Sequence, residues 1–369
     1  MRSLKNLFGT RWGIIATGGL IGVLASLLQA FGNPPNMGVC AACFGRDIAG
    51  AVGLHRAAVV QYVRPEIIGF VLGSLMAALI FKEFRPRTGS APVARFVLGA
   101  FAMIGALVFL GCPWRVNLRL AGGDGSAIFG LLGLLGGIFI GTLFMRKGYS
   151  LGRAHQTYVS AGLILPAIML GLLGLMMIFP RVEGQPRNGL LYYSVTGPGA
   201  MHAPLLFSLA AGTVIGFVAQ RSRFCTMGAF RDLILFRQPH LFWGVLALLL
   251  AAFASNLVLG QFHPGFTNQP VAHDKAFWNF AGMVLAGLAF ALAGGCPGRQ
   301  LFLAGEGDGD AAVFVLGMLV GAGFAHNFGL ASSPKGLGPH GAAGVILGLV
   351  VCLLIGLTMR EKLAAEGSS

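Results

Sequence analysis

Residues 111–127 read GCPWRVNLRLAGGDGSA, and residues 295–311 read GCPGRQLFLAGEGDGDA. Each stretch follows a long apolar run, and 184 residues separate them. That offset lays Cys112 over Cys296, Pro113 over Pro297, Arg115 over Arg299, Asp124 over Asp308 and Gly125 over Gly309. A second pair sits at an offset of 185, with CAACFGRD at 40–47 and CTMGAFRD at 225–232. It aligns Cys40 with Cys225, Arg46 with Arg231 and Asp47 with Asp232. The sequence therefore reads as two repeats, 1–200 and 201–369, each carrying two cysteine motifs.

Composition sets the class around this repeat. Of 369 residues, 56% are hydrophobic and only 10% charged, with a mean hydropathy of +0.78. A soluble domain carries about 25% charge, so this chain has too few polar residues to coat a water-facing surface. Apolar runs near the roughly 20 residues that cross a bilayer core occur at 12–32, 65–82, 93–112, 125–145, 158–180, 203–220, 241–260, 277–295, 311–330 and 341–359. The expected fold is an all-α integral membrane protein with about ten transmembrane helices. Its 58 glycines suit the close helix approach that lipid favours. The first apolar run is long for a signal-peptide core and more spans follow, so it reads as a retained helix.

Four stretches between the runs, 36–55, 113–123, 222–238 and 297–309, contain glycine and are too short to cross. They read as four re-entrant half-helices, which membranes tolerate only where protein or a watery cavity covers them. The formal net charge is +14. With the N-terminus inside, 17 of the 26 Lys and Arg fall on the cytoplasmic side and 9 outside. The positive-inside rule then places both termini in the cytoplasm. The basic balance reads as an orientation signal, with no nucleic-acid partner implied; a smaller part of it would attract an anion. Five spans per repeat is an odd number, so the second repeat enters the membrane inverted. Inverted repeats place special sites near the midplane, on interrupted helices.

The cysteines carry the chemistry. A free Cys is most often a small buried hydrophobe, and Cys352, mid-run in VILGLVVCLLIGL, reads that way. Cys40, Cys112, Cys225 and Cys296 occupy matched, glycine-flanked, polar positions, which points to a shared pathway. In each GCP step Gly permits a tight backbone and Pro interrupts the helical ladder. The half-helix that follows aims N–H groups at an anion. Thiols are soft, polarizable and weak in hydrogen bonding, which suits a sulfur- or selenium-bearing solute better than sulfate or a sugar. Cys43 has Gly228 as its mate and either tunes Cys40 or packs. The pairs Arg46–Asp47 and Arg231–Asp232 are ionisable groups near membrane depth, hence functional candidates or braces for the half-helix. Arg115 and Arg299 either draw in an anion or anchor at an interface. Asp124 and Asp308 read as N-caps, and His326 with Asn327 either glues helices or lines a path. No metal site and no cofactor motif is read.

At these residues the chain resembles the YeeE/YedE family of inner-membrane transporters. The family's Cys followed by Arg-Asp is similar to RSRFCTMGAFRD at 221–232, and its Gly-Gly-Cys step to AGGCPGR at 293–299. The resemblance runs over nearly the whole chain. It implies transport of a thiosulfate-like anion along central cysteines, here Cys40, Cys112 and Cys296 with Cys225 as the fourth matched position. The GCP…GDG form looks more like the branch associated with selenium metabolism, whose substrate would be a selenium compound. Cys43 and the two prolines depart from the importer's pattern. The family also implies a soluble sulfur-carrier protein as a partner at the cytoplasmic face. The expectation is a non-enzymatic transporter of the inner membrane. The competing reading is a membrane thiol–disulfide redox protein, for which Cys40 and Cys43 offer a pair.

Overall fold

The computed structural model describes residues 8–360. Arg2, Lys5 and Lys362, which enter the charge count, lie outside the described residues. The chain is a mostly helical, multi-pass membrane protein. Among the described residues, eight stretches are long and apolar enough to cross a membrane. Two shorter apolar helices, Pro65–Ile80 and Ile164–Ile178, fall in the remaining expected spans.

In chain order the helices are α1 Arg11–Ala30, α2 Ala41–Ala51, α3 Pro65–Ile80, α4 Pro92–Phe109, α5 Pro113–Ala121, α6 Ala127–Arg146, α7 Val159–Gly162 and α8 Ile164–Ile178. Then come α9 Leu205–Ser222, α10 Thr226–Phe236, α11 His240–Val258, α12 Ala276–Ala293, α13 Pro297–Gly305, α14 Gly309–Asn327 and α15 Gly341–Thr358. The expected span 158–180 is broken at Leu163, between α7 and α8. Pro166 explains the break: it has no N–H to give to the Gly162 carbonyl, and its ring crowds that carbonyl. Two two-residue ladders complete the secondary structure: β1 Arg87–Thr88 with β2 His155–Gln156, and β3 Arg187–Asn188 with β4 Leu191–Tyr192, both antiparallel.

The apolar helices pack in pairs: α1 on α11, α3 on α9, α6 on α12 and α4 on α14, with α4 also against α12. Glycine sets how closely they approach. A Cβ on Gly99 would lie 2.2 Å from the Phe314 carbonyl oxygen, and one on Gly317 would lie 2.2 Å from that of Phe96. Both are impossible contacts, so α4 and α14 meet backbone to backbone, as small residues allow in lipid.

The short helices α2, α5, α10 and α13 have 11, 9, 11 and 9 residues. They coincide with the four expected half-helices. Every residue of α2 is buried, including Arg46 and Asp47. The loops beyond α5 and α13 are clasped from across the chain. Gly125 N donates to Gly265 O at 2.8 Å and Gly265 N to Gly123 O at 3.0 Å. Arg85 N donates to Glu306 O at 2.9 Å, and Arg87 Nε to Asp308 Oδ2 at 2.7 Å.

Candidate functional site

All four matched cysteines are N-caps of short helices. Cys40 caps α2, its Sγ accepting from Cys43 N at 3.3 Å; Cys225 caps α10, accepting from Gly228 N at 3.2 Å. Ser, Thr, Asp or Asn normally fills this position, and a thiol is a weaker acceptor. The helix end would be better capped by Ser, so capping alone does not account for sulfur there. Cys112 and Cys296 cap α5 and α13, each followed by proline at the first helical position. That residue needs no N–H there, which is why GCP starts a helix as well as stopping one.

The thiols meet in two pairs. Cys40 Sγ lies 3.6 Å from Cys112 Sγ, and Cys225 Sγ lies 3.8 Å from Cys296 Sγ. Cys43 joins the first pair's surroundings: its thiol donates to Leu110 O at 3.8 Å, and Arg115 Nη1 lies 3.6 Å from its sulfur. All six cysteines are free and buried. Cys352 lies in α15, apart from these helix ends.

A cluster of aromatic rings joins the segments that carry the two pairs. Trp114, two residues past Cys112, is 1% exposed. Its ring centre is 5.7 Å from those of Phe70 and Phe224 and 6.0 Å from that of Phe302. Phe224 precedes Cys225, and Phe302 lies on α13. A cavity of about 20 Å³ opens beside it, bounded by Ala41 and Gly45 of α2, Met103 of α4, and Pro297 and Leu301 of α13. It has room for about one water molecule, but its apolar walls offer none of the two to four partners a buried water needs.

Charge is distributed unequally around the pairs. Near the first, Asp47 accepts from Arg46 Nε at 2.9 Å and Nη2 at 2.7 Å, and from Arg64 Nε at 2.8 Å. One carboxylate thus serves two buried guanidiniums. Arg119 Nε donates to Asp124 Oδ2 at 2.6 Å. Arg115, fully buried, has no carboxylate partner among the described residues. It donates to the carbonyls of Leu110, Asn36 at 3.2 Å and Val271 at 3.0 Å. Near the second pair an alternating chain runs Arg299–Glu306–Arg223–Glu83–Arg221, with contacts of 3.2, 3.0, 3.3 and 2.7 Å. Arg231 and Asp232 pair at 2.8 Å, but their side chains are 30% and 22% exposed.

The structure therefore brings the four matched cysteines into two contacts and puts Arg115 beside Cys43. It separates the two Arg-Asp motifs in character: Arg46–Asp47 is a buried triad with Arg64, whereas Arg231–Asp232 is a half-exposed pair. Asp308 caps α14, accepting from Ala311 N at 2.9 Å. Asp124 does not cap α6, because Ser126 stands at that position. The Asp124 side chain accepts instead from Ser126 N at 2.9 Å and neutralises Arg119. His326 packs against His55 with ring centres 4.5 Å apart and planes tilted by 35°, and Asn327 Nδ2 donates to Leu54 O at 2.9 Å. Arg64, Trp114, Thr226 and the Glu83–Glu306 chain escaped the sequence reading. The one visible signal was Trp114 standing where the matched motif has Gly298.

Residues 221–359 match the family described as Sulphur transport. That stretch, less than half of the chain, is similar to a sulphur-transport domain. The domain takes in Cys225, Cys296 and Cys352, and Cys40 and Cys112 precede it. Thiosulfate transporter TsuA of Escherichia coli (strain K12) is 32% identical over 108 residues, covering 29% of this chain and 30% of that protein. Thiosulfate transporter TsuA of Spirochaeta thermophila is 34% identical over 104 residues, covering 27% and 29%. The matched stretches thus span less than a third of these curated relatives.

Proposed function

We propose that the protein transports a small sulfur- or selenium-containing anion, thiosulfate or a selenium compound, past its two thiol pairs. The carrying observation is that the buried pairs Cys40–Cys112 and Cys225–Cys296 sit at the N-terminal ends of four short helices, in a chain whose residues 221–359 match a sulphur-transport family. Helix N-termini favour negative charge. Arg115, buried without a carboxylate, adds a cation beside the first thiols. Burying an ion costs several kcal/mol, a burden that makes sense where an anion passes. The relatives named as thiosulfate transporters support the sulfur side of this reading; the selenium side rests on the GCP…GDG resemblance.

The packing pairs and the reciprocal loop clasps support two inverted repeats, 1–200 and 201–369, with one thiol pair from each. The anion meets Cys40 and Cys112 first, passes the aromatic cluster, and leaves by Cys225 and Cys296. Both termini face the cytoplasm of a cell's inner membrane, and a soluble sulfur carrier receives the solute there. The protein works as a transporter and not as an enzyme. Labelling a cysteine placed in the 82–95 loop from each side of the membrane tests the orientation; reaction from the periplasmic side would overturn it. The decisive experiment is uptake into proteoliposomes, comparing thiosulfate, selenite and selenide with sulfate. Uptake of sulfate as fast as of all three would reject the reading.

One observation favours a second reading. Thiols at 3.6 and 3.8 Å need little movement to join. Two thiols then form one S–S bond, releasing two protons and passing two electrons to an oxidant. In this reading the protein is a thiol–disulfide redox protein, with Cys40–Cys112 replacing Cys40–Cys43 as the leading pair. Electron transfer to a quinone or thioredoxin-like partner without uptake would favour it.

A further inference from the structure

Trp114 has a buried indole N–H with no hydrogen-bond partner. A buried, unpaired donor costs about 1–3 kcal/mol, and natural structures hold few of them. Nothing in its packing demands an N–H. Phe70, Phe224 and Phe302 surround the ring, and phenylalanine would fill much of the same space without the penalty. The six-membered ring of the indole packs against the start of α13. A Cβ on Gly298 would lie 3.0 Å from Trp114 Cζ2 and 3.2 Å from Cε2, the carbon bonded to Nε1. Trp114 thus reaches from two residues past Cys112 to two residues past Cys296.

The matched motif makes the point sharper. At the 184-residue offset Trp114 corresponds to Gly298, so the ring occupies the space its own counterpart leaves open. A second orphan lies in the same region. Thr226, two residues beyond Phe224 and fully buried, has a hydroxyl without a partner. Its counterpart at the 185-residue offset is Ala41. Both unpaired donors are therefore polar groups placed where the other motif has none, one close to Cys112 and one next to Cys225.

We propose that Trp114 is the specificity-determining residue of this route, its indole N–H donating to an oxygen of the passing anion while the thiols hold the anion's soft sulfur or selenium. The inference rests on the proposed transport function. It assigns the substrate a shape: a soft atom at one end and at least one oxygen at the other. Sulfate lacks the soft end. A solute without oxygen leaves the N–H unpaired. With no anion present, the ring packs against Phe70, Phe224 and Phe302.

The test uses full-length protein in proteoliposomes, with thiosulfate and selenite as probes. Trp114→Phe keeps most of the ring volume and removes only the donor. A hydrogen bond to a charged group is worth enough that its loss raises KM by about ten-fold or more, with Vmax and melting temperature near wild type. Fluorotryptophan-labelled wild-type protein gives a second readout in detergent. Its Trp114 fluorine resonance, assigned by replacing Trp12, Trp243 and Trp278 singly with Phe, shifts on saturation with thiosulfate. A KM within two-fold of wild type, or a resonance that stays fixed, overturns the inference and leaves the transport reading standing. If Trp114→Phe does not fold, the fluorine titration decides alone. Failure of wild-type protein to take up or bind either probe counts against the transport reading itself.

Discussion

Replacing Asp47 by Asn tests whether the first Arg-Asp motif is structural ballast or part of the route. Asp47 receives three hydrogen bonds from two guanidiniums, and Asp47, Arg46 and Arg64 are 0%, 2% and 0% exposed. Asparagine keeps one carbonyl acceptor and loses the charge, so both cations stay buried without a counter-ion. Breaking a buried pair in this way costs about 3–5 kcal/mol, against total stabilities of about 5–15 kcal/mol. Asp232→Asn breaks a pair that is 22–30% exposed, where the cost is about 0–1 kcal/mol. Thermal unfolding of both purified variants in one detergent gives the comparison. Asp47→Asn melts well below wild type, and Asp232→Asn close to it. Adding Arg46→Gln to Asp47→Asn removes one stranded cation and recovers part of the loss. Equal melting temperatures for the two single variants would refute the reasoning, because burial would then not distinguish the motifs.

Cys112→Ser and Cys296→Ser each cut thiosulfate uptake at least ten-fold at unchanged stability, since Ser brings a hydration cost and no soft surface to a dry site; Cys352→Ser transports like wild type. Mild diamide treatment forms disulfides within the pairs Cys40–Cys112 and Cys225–Cys296, seen by mass spectrometry of digested protein, and blocks uptake until a reductant is added. Burial pushes the Glu83 carboxyl up, but hydrogen bonds from Arg221 and Gln220 outweigh it and hold the group below its usual 4.5. Its contribution to stability is therefore complete above that pH and is lost as pH falls through the lower folded value; Glu83→Gln flattens this part of the acid-unfolding curve measured in detergent.

The parts of the fold written in local chemistry were legible in the sequence. GCP combines a flexible residue, a thiol and a helix starter, and its two copies located α5 and α13 at 113–123 and 297–309. The apolar runs located the long helices because bilayer thickness fixes their length. The break before Pro166 was visible as a residue, yet the surrounding ILPAIML is apolar enough to read as one span. The contacts that assemble the site were not legible. Arg64 reaches Asp47 only after α2 and α3 pack, so from spacing alone it looked like one more outer charge. Trp114 drew no reading, because no local pattern says that Phe70, Phe224 and Phe302 will close around it. Asp124 carries the same GDG signature as Asp308, and only the burial of Arg119 sets them apart.

The two shorter apolar helices, α3 and α8, bear on the lipid around the protein. At 1.5 Å per residue, α3 and α8 span about 24 and 22 Å, less than the roughly 30 Å of a typical hydrocarbon core. They pack against each other, and α8 turns Met177 and Ile178 outward, 70% and 69% exposed. A flank this short would be met by local thinning of the bilayer or by adjustment of the residues at its ends. Ile67 of α3 and Met169 of α8 also line the cavity beside the aromatic cluster. Acyl-chain length thus presses on the same two helices that wall the cavity, and a cell that remodels its lipids with growth temperature would retune that wall without changing a residue.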